Sequence, residues 1–398
     1  MTRLRIAMLT YSLRPRGGVV HAIEISEALA RNGHDVELIA LGPPGEGFFR
    51  EPSVPSHVVR YEPIDASFDE RILAMLAAYR DGLAEPLSQG GFDLIHAQDC
   101  LSANAALELR DAGIVPHVIR TVHHVDDFTS PSLVECQDRS ILRPDVLLCV
   151  SLPWIDRLAS QFDVSAELVA NGVDMSRYRP ARDSTERRAD RARFELGDRF
   201  AVLAIGGIEP RKGSLTLLDG FARLRELAPE LDPLLLVAGG ATLFDYRYEI
   251  DRFHARISEL GVRDSVRVLG SIGDQELESL YRAADVFAFP STKEGFGLAA
   301  LEALASGLPV VATDLEEFTT FLAHDYSALL VPVGDGEGLG AALAQLARSP
   351  ETCALLREGG LRVAAEHTWE AAAILHEPVY GELLGERRRY EWRLNSSV

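Results

Sequence analysis

The stretch FPSTKEGFGLAALE, from Phe289 to Glu302, runs from the end of an apolar strand through a polar loop into a helix. The strand stops at Pro290, and the loop carries Lys293 and Glu294. Gly295 and Gly297 then open a helix that begins near Leu298. Glycine allows a backbone to approach a ligand closely. The first turn of the helix presents unpaired N–H groups and the positive end of the helix dipole, which together attract an anion. Glu302 lies one turn into that helix, where its carboxylate could accept bonds from the vicinal hydroxyls of a ribose beside the anion.

The same strand, loop and helix alternation extends in both directions, which predicts α/β architecture with parallel sheets. Apolar runs at Phe200 to Ile205, Leu234 to Ala238, Val266 to Leu269, Val286 to Phe289, Pro309 to Ala312 and Ala328 to Val331 read as the strands of one sheet. Those at Leu4 to Leu9, Val36 to Leu41, Leu94 to His96, Val118 to Val122, Val146 to Val150 and Leu168 to Ala170 read as another. Val20 to Asn32 has helical spacing, and the Pro- and Gly-rich segment from Pro43 to Pro63 reads as a loop. Between the halves lies ARDSTERRADRARFELGD, polar and densely charged after Pro180. This pattern predicts two Rossmann-like, doubly wound domains, 1–183 and 184–375, facing across a cleft. A C-terminal helix over 376–398 is expected to pack back on the first domain.

Composition excludes several classes. The chain of 398 residues, 47% hydrophobic and 25% charged, is long enough for two cores. A formal net charge of -20 disfavours nucleic acid as a partner. The Arg387 to Arg389 run reads as a solvated helix end. No apolar run approaches the ~20 residues of a membrane-spanning helix, and the N-terminal segment reads as a strand rather than a secretory signal. Four cysteines without metal-ligand or framework spacing suit reduced thiols, and the expected location is the cytoplasm. Of forty basic residues only two are lysines, Lys212 and Lys293, and both fall in glycine-bearing loops.

Further loops carry candidate chemistry. In GGIEPRKG, Gly206 to Gly213, Arg211 and Lys212 could neutralise a diphosphate without a metal ion, and the segment lacks the spacing of an ATP-binding P-loop. Gly17 and Gly18 lie at a helix start after the first strand. His123 follows the strand Val118 to Val122, where strand ends meet ligands. His21 and Glu24 read as structural. His123 and His124 with Asp126 and Asp127 invite a metal reading, but no further ligand supports it, so no metal is expected.

With these residues in place, the chain resembles the retaining glycosyltransferases of family 4, which have the GT-B fold. Glu294 to Glu302 matches that family's E-x7-E signature, and GLPVVATD (Gly307 to Asp314) continues the match. NGVDMSRYRP (Asn171 to Pro180) is similar to its linker segment, and EPRKG (Glu209 to Gly213) to its E-x-K-G loop. Gly17-Gly18 and the Thr121 to His123 triplet fit as well. Two positions depart from the pattern. Gly206-Gly207 stands where the family usually has G-R, and AGGATLFDYRYEID (Ala238 to Asp251) replaces a G-x-G.

The resemblance implies a nucleotide diphosphate sugar as donor, with UDP favoured, and a small-molecule or glycan acceptor. Catalytic roles then fall to Glu294, His123 and Lys212. Donor contacts fall to Gly17, Gly18, Arg211, Lys212, Glu294, Gly295, Phe296, Gly297, Leu298 and Glu302. Asp99, Asp126 and Asp127 are expected on the acceptor side. No cofactor is expected. Retention in the family is ascribed to front-face attack, with the leaving phosphate taking the acceptor proton. A two-carboxylate hydrolase scheme fits poorly, because eight helical residues put Glu294 and Glu302 roughly 10 Å or more apart. The alternatives are an epimerase or hydrolase of sugar nucleotides, or a non-catalytic sugar-nucleotide binder.

Overall fold

The apolar runs form strands, and every strand pairing in both sheets is parallel. The computed structural model describes residues 2–240 and 246–385. The chain divides into two units: 1–150, 154–170 and 369–398 in the first, and 151–153 and 171–368 in the second.

The first unit runs β1 (Arg5–Thr10), α1 (Gly17–Arg31), β2 (Asp35–Gly42), β3 (Ser56–Arg60), α2 (Phe68–Gly90), β4 (Leu94–Ala97), α3 (Cys100–Asp111), β5 (Val118–Val122), α4 (Pro131–Leu142), β6 (Val146–Cys149), α5 (Leu152–Phe162) and β7 (Glu167–Leu168). Its seven strands lie in the order β3-β2-β1-β4-β5-β6-β7. The order reverses between β1 and β4, so the loops after those two strands diverge and leave room for a ligand. The central strands β1, β4 and β5 are almost wholly buried because helices cover both faces of a parallel sheet. Ile39, Leu83, Ile95 and Val118 lie in the core between sheet and helices.

The second unit runs α6 (Ser184–Arg193), β8 (Ala201–Ile205), α7 (Ser214–Leu227), β9 (Leu234–Ala238), α8 (Arg247–Glu259), β10 (Val266–Gly270), α9 (Asp274–Ala283), β11 (Val286–Phe289), α10 (Leu298–Ala305), β12 (Val310–Thr313), β13 (Leu329–Val331), α11 (Gly336–Arg348) and α12 (Pro350–Glu366). Its sheet order is β10-β9-β8-β11-β12-β13, with the reversal between β8 and β11. Val202, Leu235, Val286 and Leu343 anchor the core. α13 (Trp369–Leu383) belongs to the first unit and packs on α1.

Three readings of the sequence differ from what forms. The expected loop from Pro43 to Pro63 contains β3, which pairs with β2 from Leu38↔Ser56 to Gly42↔Arg60. Only Val59 of β3 is buried. A short edge strand carries too little apolar pattern to be read from sequence.

The charged stretch after Pro180 is not a linker. The division falls at 170/171 rather than 183/184, and the stretch forms α6. Asp183 caps α6 by accepting from the N–H groups of Thr185 and Glu186. Asp190 binds Arg282 at 2.7 Å, and Asp285 receives both Arg187 (2.6 Å) and Arg191 (3.0 Å). The charges therefore dock α6 onto its own unit.

The return to the first unit begins at Trp369 rather than at residue 376. Residues 386–398, including Arg387 to Arg389, and 241–245 lie outside the described residues.

Candidate active site

At the carboxyl ends of β8 and β11, where the second sheet reverses direction, two loops are locked together. The N–H of Thr292 donates to the carbonyl of Arg211 at 2.7 Å. Gly213 adopts φ 63°, and a Cβ there would stand 1.9 Å from the carbonyl oxygen of Pro290. Only glycine allows both the left-handed backbone and this approach. Lys212 and Glu294 are thereby brought together although 82 residues separate them.

Lys212 Nζ donates to Glu294 Oε1 at 2.6 Å and stands 5.2 Å from the centre of the Phe289 ring. The Ser291 hydroxyl donates to the same carboxylate oxygen at 2.8 Å, while Arg211 reaches Oε2 at 3.4 Å. Arg211 Nε also donates to Glu209 Oε2 at 2.8 Å. Glu294 is 7% exposed. Burial pushes its carboxyl up, but the charges of Lys212 and Arg211, with hydrogen bonds from Lys212 and Ser291, outweigh that. The group is held below the usual carboxylate range.

A small pocket beside this cluster is lined by Gly206, Gly207, Lys212, Ser214, Phe253 and Pro290, among others. Gly206 has φ 140°, and a Cβ there would be 3.1 Å from the Lys212 side chain. Gly239, after β9, comes so close that its Cβ would lie 2.2 Å from the Gly206 carbonyl oxygen. Gly239 of the AGGATLFDYRYEID segment therefore packs the loop after β9 onto the loop after β8, while a Cβ on Gly240 would meet the Ser271 hydroxyl at 1.9 Å.

Gly297 precedes α10 with φ 107°, and Leu298 is the first residue of that helix. Phe296 is buried and stacks on Phe321 at 4.8 Å between ring centres, so its side chain serves the core. The Gly295 carbonyl accepts from the Ser151 hydroxyl at 3.0 Å. Glu302 Oε2 accepts from the buried hydroxyl of Tyr281 at 2.9 Å. Burial first, and then the Glu302 carboxylate, keeps Tyr281 protonated well above its usual range.

In the first unit, Gly17 and Gly18 open α1, and a Cβ on Gly18 would meet the His123 ring at 3.4 Å. His123 Nε2 lies 3.0 Å from Gln98 Oε1, and its ring stands edge-on to His21 at 4.9 Å. Burial, with the neighbouring His21, His124 and Arg120, holds His123 neutral well below its ordinary range. Asp99 caps α3: its two oxygens accept from the N–H groups of Ser102 (2.8 Å) and Tyr11 (2.9 Å). Its carboxylate thus organises the loops at the sheet reversal. Asp126 lies 3.3 Å from His124, its main chain is held by Gln137, and Asp127 is exposed. Among the described residues no group of three His, Cys, Asp or Glu could hold a metal ion, and no helix is long and apolar enough to cross a membrane.

Sequence reasoning assigned no role to Glu209, Ser291, Tyr281 or Gln98. Only Glu209 carried a signal, as the first residue of EPRKG. Ser291 acts within its own loop, three residues from Glu294, whereas Tyr281 and Gln98 act across the fold, where nothing local marks them.

The profile described as "Glycosyltransferase Family 4" matches residues 15–177, and "Glycosyl transferases group 1" matches 186–362. A D-inositol 3-phosphate glycosyltransferase of Saccharomonospora viridis is 30% identical, over 96% of this chain and 95% of that one. The chain belongs to glycosyltransferase family 4. Solved glycosyltransferase structures share the fold. Sucrose-phosphate synthase from Thermosynechococcus elongatus superposes with a TM-score of 0.81 at 23% identity, covering 96% of this chain and 100% of that one. HepE from Anabaena, in complex with UDP and glucose, superposes with a TM-score of 0.78 at 19% identity, covering 96% and 99%. The two parallel sheets of this glycosyltransferase are thus those of the GT-B fold.

Proposed function

We propose that this glycosyltransferase takes a sugar from a nucleotide diphosphate sugar, with retention of configuration and without a metal ion. The observation that carries the reading is the Lys212–Glu294–Arg211 cluster at the reversal of the second sheet. A diphosphate needs fixed positive charge near its leaving oxygens. Lys212 has three protons to donate and gives one to Glu294 Oε1. Arg211 gives Nε to Glu209 and Nη1 to Glu294, and among the described residues its Nη2 has no acceptor. Arg211 is therefore our candidate for the arginine that the family usually carries at position 207.

Glu294 would do two things. It fixes both cations before the donor arrives, so that little reorganisation is needed as charge develops on the leaving phosphate. It would also contact hydroxyls of the sugar. Backbone N–H groups at Gly297 and Leu298 would add to the anion site, and Glu302, oriented by Tyr281, would hold the ribose. For His123 we propose contact with a sugar hydroxyl. Its neutral ring, with one nitrogen facing Gln98, suits a hydrogen-bonding role better than an ionic one. UDP is the favoured nucleotide, and HepE, which binds UDP, is the relevant likeness. The name of the Saccharomonospora viridis relative, D-inositol 3-phosphate glycosyltransferase, makes D-inositol 3-phosphate the first acceptor to try.

The test is thermal stabilisation by UDP, GDP and ADP and their glucose and N-acetylglucosamine conjugates, with EDTA and then with Mg²⁺. Ligands that bind only the folded state raise stability with the logarithm of concentration over Kd. A rise in Tm with one nucleotide, equal with and without metal, is expected. No shift with any of them, or a shift that requires Mg²⁺, would overturn the reading.

A further inference from the structure

Spacing along the sequence gives no reason to pair any of the four cysteines, but the fold brings two together. Cys100 is the first residue of α3, Cys136 lies within α4, and their sulfurs are 3.1 Å apart as free thiols. The helices that carry them are fastened at this point. Asn104 Nδ2 donates to the carbonyls of Cys100 (2.8 Å) and Cys136 (2.7 Å), and Arg139 holds the Asn104 oxygen at 2.6 Å. A disulfide needs its sulfurs at ~2.05 Å, so closure requires a movement of only about 1 Å.

The surroundings separate the two sulfurs in role. Arg120, on β5, is buried and donates to the Ser140 hydroxyl, while its Nε finds no acceptor and no carboxylate pairs with it among the described residues. Cys100 is drawn towards the thiolate first by its hydrogen bond from Cys136, against burial, and then by the charge of Arg120. Its place in the first turn of α3 acts in the same direction. Cys136 is pushed the other way, first by that same contact and then by burial. Cys100 is also the partly exposed member, whereas Cys136 is buried.

We propose that Cys100 and Cys136 form a reversible thiol–disulfide couple, with Cys100 the attacking sulfur and Cys136 the resolving one. The oxidant is a small-molecule disulfide. The Cys100 thiolate attacks one of its sulfurs, the S–S bond breaks, and the departing thiolate takes a proton. Cys136 then gives up its proton, its sulfur attacks Cys100, and the second small thiol leaves. Two protein thiols are oxidised to one disulfide and the oxidant is reduced to two thiols, with no net change in protons. Cys100 adjoins Asp99, which holds Tyr11, so the new bond forms beside the loops at the first sheet's reversal.

The experiment uses the full chain and glutathione disulfide, with iodoacetamide quenching and peptide mapping by mass spectrometry. Two of the four thiols should be lost, in a single Cys100–Cys136 linkage that dithiothreitol reverses. In C136S, glutathione should remain attached at Cys100; in C100S, Cys136 should stay unmodified. Full alkylation of both cysteines after oxidant treatment, or glutathione on the wild-type chain without the linkage, would overturn the proposal. Mapping on the wild-type chain does not depend on the variants folding, and neither outcome depends on the donor assignment.

Discussion

In the second unit Glu294 is buried with its charge, between Lys212 and Arg211. In the first unit His96 and His376 are buried without theirs, packed among His21, Trp369 and Tyr380. His96 is satisfied by neutral partners, the hydroxyls of Tyr380 and Thr121, each at 2.8 Å. His376 has one nitrogen on the Ala372 carbonyl at 2.8 Å, and the other without a partner. The two clusters thus treat ionisable side chains in opposite ways. Removing a charge from water is costly unless opposite charges and hydrogen bonds surround it. A cluster that keeps its charge at that cost is suited to hold an anion. A cluster that surrenders its charge joins α13 to the body of the unit, and is suited to packing.

The largest effects should come from breaking the charged cluster. Glu294→Ala and Lys212→Ala should each lower donor turnover by about 10²–10³-fold, the usual cost of losing one preorganised electrostatic contact. Circular dichroism should be unchanged in both. Glu294→Ala should also cost roughly 3 kcal/mol in denaturant unfolding, because Lys212 loses its carboxylate. Near-normal turnover in both variants would make the cluster merely structural and erase the contrast.

The histidine cluster should respond to acid. Burial lowers His376 to about 4, offset only in part by its bond to Ala372. The unfolded chain therefore binds the proton first. Stability should be fully present above about pH 6.5, decline as the pH falls, and level off below about pH 4. The contribution of His376 alone is about 3 kcal/mol. Urea unfolding of the wild type and of H376L across that range would check the sign. An equal slope in both would place the acid sensitivity elsewhere.

The smallest effect sharpens the comparison at the edge of the charged region. Tyr281→Phe removes the hydroxyl that orients Glu302 while keeping the ring in the core. It should cost about 1 kcal/mol, seen as roughly fivefold weaker nucleotide binding in titration calorimetry. Unchanged affinity would argue against Glu302 as the ribose ligand.

Much of this was legible along the chain. The strands in both halves appear as apolar runs, with ends shifted by a residue or two. The strand–loop–helix context of Lys212 and Glu294 is equally plain, because glycine and proline act on their immediate neighbours. The loops carrying Gly206, Gly213 and Gly297 are accordingly where reading the sequence placed them. Charge pattern misled at α6, where Arg187 and Arg191 are engaged by Asp285, and Asp190 by Arg282. Edge position hid β3, whose pairing with β2 supplies what its own sequence lacks.

By itself, then, the sequence determined the alternation of strands and helices, the glycine-bearing turns at strand ends, and which cations and carboxylates those turns carry. Each depends on residues within a few positions of one another, through backbone sterics and the period of apolar side chains. Only the tertiary structure decided that Glu294 meets Lys212, that Tyr281 meets Glu302, that three histidines share one core, and that Cys100 meets Cys136. Those partners come from separate strands and helices, and their distances follow from strand order and helix packing, which no local pattern encodes.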